Sequence, residues 1–318
     1  MRRGKSCCHE RLLAVRCEAM SATELQPVTF KPYSTQSNEG LIKFIRDFPR
    51  LPYGLEHFES FTSRLTSGPH CVLDFWQGPQ RVAVVILLDN AKNRKGILEV
   101  AVMGYRWDFS PSQFLDACLP RAEKHAREKS LKTLEIVSSL GLKVGPPELL
   151  NRGFQVASTT ITLETNHLNP QLLVSHPPEF TWQDADSATI SACYELLSLN
   201  VSPGQAETII PKEQFEQLAL HLQLKPRILF SNERPIAFVW VVLENSTGQL
   251  LFMARHPDFR AKGLGKMCLG EANRVLQKIG YKKLQAEVRD TDTSALKLFE
   301  TCGFRVIRKL SRFQLKLY

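Results

Sequence analysis

No stretch of this 318-residue chain is apolar over the roughly 18 residues that a membrane-crossing helix needs. No Cys-x-x-Cys pair and no Cys/His cluster at zinc spacing occurs among its eight cysteines, so their pattern names neither a metal site nor a thiol-redox motif. The N-terminus lacks the apolar core of a secretory signal. Aromatic residues are not interleaved with the basic ones, as a stacking platform for nucleic acid would require. These absences lead to the expectation of a soluble, cytoplasmic protein in a reducing compartment, with no metal, no membrane partner and no nucleic-acid partner.

What remains is an ordinary globular composition, 43% hydrophobic and 23% charged, long enough for two domains with cores of their own. The formal charge is +9, and it gathers at the ends. Arg2, Arg3, Lys5, Arg11 and Arg16 stand in residues 1–20, and Arg305, Arg308, Lys309, Arg312 and Lys316 close the chain. Basic ends of this kind suit a phosphorylated co-substrate or are simply solvated surface. Residues 1–20 differ in composition from the rest of the chain and end on an internal Met20. They read as a disordered extension, or as the product of an upstream start.

The chain repeats itself. Displaced by 150 positions, Met103 falls on Met253, Cys118-Leu119 on Cys268-Leu269, Ala122 on Ala272, Lys132 on Lys282, and Gly153-Phe154 on Gly303-Phe304. The pattern of elements agrees. Residues 97–103, 131–137 and 155–163 read as strands, with helices at 110–129 and 147–152 between them. Strands at 249–255, 283–288 and 305–317 enclose helices at 264–279 and 293–301. Each half is thus strand, helix, strand, helix, strand, with a parallel crossover. Upstream strands are expected at 71–76 and 82–88, and at 227–230 and 236–243. Helices are expected at 40–47, 55–65, 185–199 and 211–222. The fold class is therefore α/β with a mixed sheet, in two domains at 21–164 and 182–318 joined by a linker at 165–181.

The stretch Arg260-Ala261-Lys262-Gly263-Leu264-Gly265-Lys266 sits between a strand and a helix. A helix start offers unpaired N–H groups and a positive dipole end, two glycines let the backbone close on a diphosphate, and three cations surround it. The spacing is neither that of a P-loop nor that of a dinucleotide fingerprint. The counterpart in the first half, Ser110-Pro111-Ser112-Gln113, has no glycine or cation, and its proline removes an N–H. No phosphate site is expected there.

With His256-Pro257-Asp258-Phe259 before that loop, and Asp292-Thr293-Ser294-Ala295 through Gly303-Phe304 after it, the chain resembles the GNAT superfamily of Gcn5-related N-acetyltransferases. The resemblance covers about 181–318, and reaches 29–163 only through the internal repeat. It implies two tandem GNAT-like domains, each a mixed, centrally splayed sheet flanked by helices. It implies an acyl-CoA-dependent N-acyltransferase moving acetyl from acetyl-CoA to an amine acceptor, a primary amine of a small molecule or peptide. A non-catalytic CoA-binding sensor of the same fold is the alternative. Met253, Ala254 and Arg255 would hold the pantetheine arm through their backbones, and the diphosphate would lie on residues 260–266. Asp292 and Phe299 occupy two further cofactor-side positions, where the family usually has asparagine and tyrosine. Glu287 is the first candidate for the base that deprotonates the amine, and Glu244 the second. The degenerate half is expected to pack on the other and shape the acceptor site.

Overall fold

The computed structural model describes residues 28–32, 38–47, 71–89, 96–106, 110–139, 146–166, 178–200, 210–244, 246–259 and 263–318. The extension at 1–20, the helix expected at 55–65, most of the 165–181 linker and loop residues Arg260, Ala261 and Lys262 lie outside them.

In chain order the elements are β1 (Val28–Pro32), α1 (Asn38–Asp47), β2 (Cys71–Gln77), β3 (Gln80–Asp89), β4 (Ile97–Tyr105), α2 (Pro111–Glu128), β5 (Thr133–Ser139), α3 (Pro146–Leu150) and β6 (Gln155–Thr165). Next come β7 (Phe180–Asp184), α4 (Ile190–Ser198), α5 (Lys212–His221), β8 (Arg227–Ser231), β9 (Arg234–Glu244), β10 (Thr247–Arg255), a 3-10 turn (Pro257–Phe259), α6 (Leu264–Lys278), β11 (Leu284–Arg289), α7 (Thr293–Thr301) and β12 (Arg305–Lys316). The 150-residue repeat is visible in the bounds themselves. Strand β4 runs 97–105 against 247–255 for β10, and β6 begins at 155 against 305 for β12. Strands β1 and β7 were not expected. Both are short, and β7 straddles the junction at which the linker should end.

Two compact units emerge, Met1–Leu88 with Ala101–Arg121, and Asp89–Val100 with Ala122–Tyr318. In the first, β1, β2 and β3 form an antiparallel ladder. Gly78, at φ 57°, makes the β2–β3 turn that L side chains disfavour. Leu41, Phe44 and Ile45 of α1 cover Val72, Val84 and Ile86. Phe114 meets Phe75 and Tyr105 edge to face.

The second unit has the strand order β4 (residues 97–100), β5, β12, β6, β11, β10, β9, β8, β7. Pairing is parallel for β4 with β5 and β10 with β11, and antiparallel elsewhere. The β8–β9 turn places Asn232 and Glu233 at φ 46° and 67°, the left-handed pair that a two-residue hairpin requires. Alternation along the strands divides the core. Val239, Val241, Ala286 and Val288 face α6 and α7, where Leu264, Met267, Cys268 and Phe299 bury. Phe238, Trp240 and Ala254 face the opposite way, under Cys193 and Leu196 of α4 and Phe215 of α5.

The closing strands are exchanged. Strand β6 follows α3 in the chain but pairs with β11, while β12 follows α7 and pairs with β5 on its other edge. Polar side chains match across these seams. Glu135, wholly buried on β5, takes Arg312 at 2.8 Å and Gln314 at 2.9 Å from β12. At the position 150 residues on, Gln285 of β11 accepts from Gln249 and donates to Glu164 of β6, each at 2.7 Å. An unmatched polar group in a sheet interior is costly, so each set favours the register seen.

Candidate functional site

Strands β10 and β11 pair through Gly248↔Leu284, Gln249↔Gln285 and Leu250↔Ala286, and then separate. The register of β10 against β9 slips between Leu250 and Phe252, a bulge at the point of divergence. Beyond it β10 keeps β9 on one edge, so alternate N–H and C=O groups of its other edge face the gap. The gap is a cleft of about 510 Å³, lined among others by Leu251, Phe252, Met253, Glu287, Arg289, Asp292 and Phe299. Gly248, where the strands are still paired, admits no side chain: a Cβ there would stand 2.4 Å from Cδ1 of Leu276.

The chain leaves β10 through His256 and the 3-10 turn. Arg234, at the β8–β9 hairpin, bonds Nε2 of His256 at 3.0 Å and Oδ2 of Asp258 at 3.0 Å, with its guanidinium 5.6 Å from the centre of the Phe259 ring. The 256–259 segment is thereby tied down just before the basic loop. Gly263 caps α6 at φ 74°, with nothing within 4 Å of where a Cβ would be, so its glycine is required by backbone conformation. Gly265 packs closely on α7, since a Cβ there would come 2.8 Å from Cδ2 of Leu298 and push that side chain aside. The first-turn N–H groups of α6 precede the first intrahelical bond, Met267 N to Gly263 O, and present positive dipole ends beside exposed Lys266.

Of the residues singled out from sequence, Met253, Glu287, Asp292 and Phe299 line the cleft. Ala254 and Arg255 lie just past its lining and pair with Phe238 and Ala237. Gly263, Leu264, Gly265 and Lys266 form the α6 start. Asp292 caps α7 by accepting from Ala295 N and Ser294 Oγ, both at 2.9 Å. Phe299 is core, stacked edge to face on Phe304 at 4.9 Å. Glu287 is half exposed. Its Oε1 accepts from Arg308 at 3.3 Å and, at 3.4 Å, from Thr162 of β6, a strand belonging to the first repeat. Glu244 lies at the β9–β10 hairpin, opposite Thr247 and outside the cleft lining. Cys268 is core too, its thiol pushed up to about 12 by burial and so no nucleophile.

Sequence reasoning missed Asn200, Leu251, Thr291 and Arg289 of the lining. Asn200 ties the end of α4 to β10, its Nδ2 donating to the carbonyls of Leu196 and Arg255 at 2.7 Å each. The bulge at Leu251 has no residue signature. Arg289 was legible, since it follows Glu287 by two and so shares its face of the strand.

Residues 191–304 match the model of the acetyltransferase (GNAT) family. This stretch, about a third of the chain, is thus similar to the GNAT acetyltransferases. Over 86 residues, 26% of the chain, it is 37% identical to the [ribosomal protein bS18]-alanine N-acetyltransferase of Salmonella typhimurium, of which the match spans only 55%. The fold of 91% of the chain is similar to that of a GCN5-related N-acetyltransferase from Sphaerobacter thermophilus, at 10% identity and TM-score 0.68, covering 95% of that chain. It is also similar to a tandem GNAT protein from the clavulanic acid biosynthesis pathway, at 12% identity and TM-score 0.59, with 91% and 98% of the two chains covered. The mixed sheet with helices on its faces is thus the GNAT architecture. No helix among the described residues is long and apolar enough to cross a membrane.

Proposed function

We propose that this protein is an acetyl-CoA-dependent N-acetyltransferase acting on a primary amine of a small molecule or peptide, in a cytoplasmic setting. The observation that carries the reading is the divergence of β10 from β11 directly upstream of an α6 start built on a left-handed Gly263. A thioester arm needs an unpaired strand edge, and a diphosphate needs a helix start without side chains in the way. Both stand within one stretch of chain. Residues 260–266 hold the diphosphate and Met253–Arg255 the arm, with Asp292 and Phe299 on the far wall. The fold is a tandem one, with the 21–164 half degenerate: its helix α2 opens on Pro111, which has no N–H to offer a phosphate.

The reaction asks little of side chains. An alkylammonium gives up a proton, with Glu287 the base. The amine nitrogen then attacks the thioester carbonyl, the C–N bond forms, the C–S bond breaks, and the thiolate takes a proton. In balance, ammonium and acetyl-CoA give N-acetylamine, CoA thiol and one proton. Backbone N–H groups on the free edge of β10 suit the developing oxyanion. One observation favours a second reading, a sensor that binds acetyl-CoA without turnover: Phe299 offers no phenol to the departing thiolate.

Calorimetric titration of acetyl-CoA tests the site. One equivalent per chain is expected, weakened at least tenfold in Lys266→Glu, which sets a carboxylate beside the diphosphate. Gly265→Trp is a poorer probe, because it strikes Leu298. A wild type that takes up no acetyl-CoA sinks both readings. Binding without release of CoA thiol, whatever amine is supplied, leaves the sensor.

A further inference from the structure

Among the described residues, three charged side chains line the cleft between β10 and β11: Glu287, Arg289 and Asp292. The carboxylate of Asp292 caps α7 through Oδ1. That leaves one carboxylate and one guanidinium, two positions apart on β11. Along a strand that spacing is about 6.6 Å between Cα atoms, with both side chains on one face. The intervening Val288, and Ala286 before it, bury beneath α6 and α7. Glu287 and Arg289 therefore project from the opposite face of the sheet, away from the start of α6. Both are exposed.

The orientation separates Arg289 from the diphosphate, whose proposed seat is the α6 start on the other face. It also bears on the acceptor. Among the described acidic residues of the α4 and α5 helices, Glu195, Glu213 and Glu216 are absent from the cleft lining, and Glu216 pairs instead with Lys212 at 3.9 Å. Among the described residues of these two helices, none brings a carboxylate into the cleft lining. With Arg308 on the far side of Glu287 at 3.3 Å, the Glu287 carboxylate stands between two guanidinium-bearing residues, Arg308 and Arg289.

We infer that the acceptor is an amino acid in the broad sense, a small molecule with a primary amine and a carboxylate, and that Arg289 selects it by binding the carboxylate while Glu287 receives the amine. The inference rests on the transferase reading above. A guanidinium forks onto a carboxylate with two parallel N–H donors, which no neutral amide can match in charge. A molecule bearing only cations would place its second charge against Arg289, so that residue both attracts one class and repels another.

The test compares each L-amino acid with its own α-carboxamide, following release of CoA thiol from acetyl-CoA, with rates expressed per unprotonated amine. Wild-type protein is expected to favour the acid tenfold to a hundredfold in kcat/KM, mostly through KM, as a charge-assisted hydrogen bond implies. Arg289→Gln is expected to bring the ratio close to one. An acid-to-amide ratio near one in the wild type overturns the inference while leaving N-acetyl transfer standing. So does a ratio that Arg289→Gln does not change. Arg289→Gln that weakens acetyl-CoA itself, read by titration, would assign the residue to the co-substrate instead. Acetyl-CoA that binds but is turned over with no amine brings down the transferase reading, and this inference with it.

Discussion

Glu271 on α6 is 2% exposed and still charged, because Arg227 and Arg274 both reach it. Burial by itself pushes the carboxyl up. Hydrogen bonds from Arg274 and Arg227, and the charge of both, outweigh that and hold it below the usual glutamate range. A depressed folded value means stability that is present above the unfolded pKa, near 4.3, and lost as pH falls through the folded one. Glu271→Gln should therefore lower the melting temperature at pH 7. Below about pH 4 the gap to wild type should narrow, since the protonated acid and the amide become near equals. Melting curves at the two pH values check this; a gap that stays constant would mean that packing, not charge, is what Gln disturbs. The residue scale also holds the two glycines of the α6 start, which the sequence marks equally but which do different work. Gly263 answers to a dihedral angle and Gly265 to the Leu298 side chain.

The exchange of β6 and β12 is the chief feature at the scale of elements. Arg312 and Gln314 of β12 close on Glu135, so β12 is fastened to the strand of the other repeat by a buried carboxylate. Glu135→Ala takes from Arg312, 30% exposed, the buried carboxylate it bonds at 2.8 Å and opens a polar hole, and should cost about 3 kcal/mol. Chemical denaturation measures it, and a loss below about 1 kcal/mol would show that Arg312 turns out to solvent at little cost. The elements themselves were legible. Strands of β-branched residues such as β3 and β9, and helices with apolar residues at helical spacing such as α6, fell within a few residues of their observed bounds. Two short strands were not, because β1 and β7 carry half-polar sequences of five residues each, too few for a period to stand out.

At the scale of the whole molecule, the unit that holds the cleft takes residues 89–100 and 122–318, so it draws on both repeats. Strand β6 covers the edge of β11 and supplies Thr162 to Glu287. A chain beginning at residue 178 would keep the whole GNAT-matched stretch and yet lack β6, leaving β11 a bare edge and β12 without either neighbour. Such a fragment is expected to aggregate or to melt without a cooperative transition. The two pieces produced together should restore one. Size-exclusion chromatography and calorimetry decide it, and a fragment that melts cooperatively as a monomer would mean that β12 can turn back onto β11.

The sequence alone carried everything local and periodic: the strand and helix types, the 150-residue repeat, the phosphate-suited loop and the positions of Glu287, Asp292 and Phe299. Each of these depends on residues a few positions apart, or on a repeat that can be read by sliding the chain over itself. Tertiary structure decided which edge each closing strand takes, where β10 and β11 part, and that Arg289 and Glu287 share a cleft while Glu244 does not. The first of those outcomes depends on strands more than a hundred residues apart. Any antiparallel edge offers the same backbone hydrogen bonds, so only the matching of buried side chains such as Glu135 with Arg312 selects one edge over another.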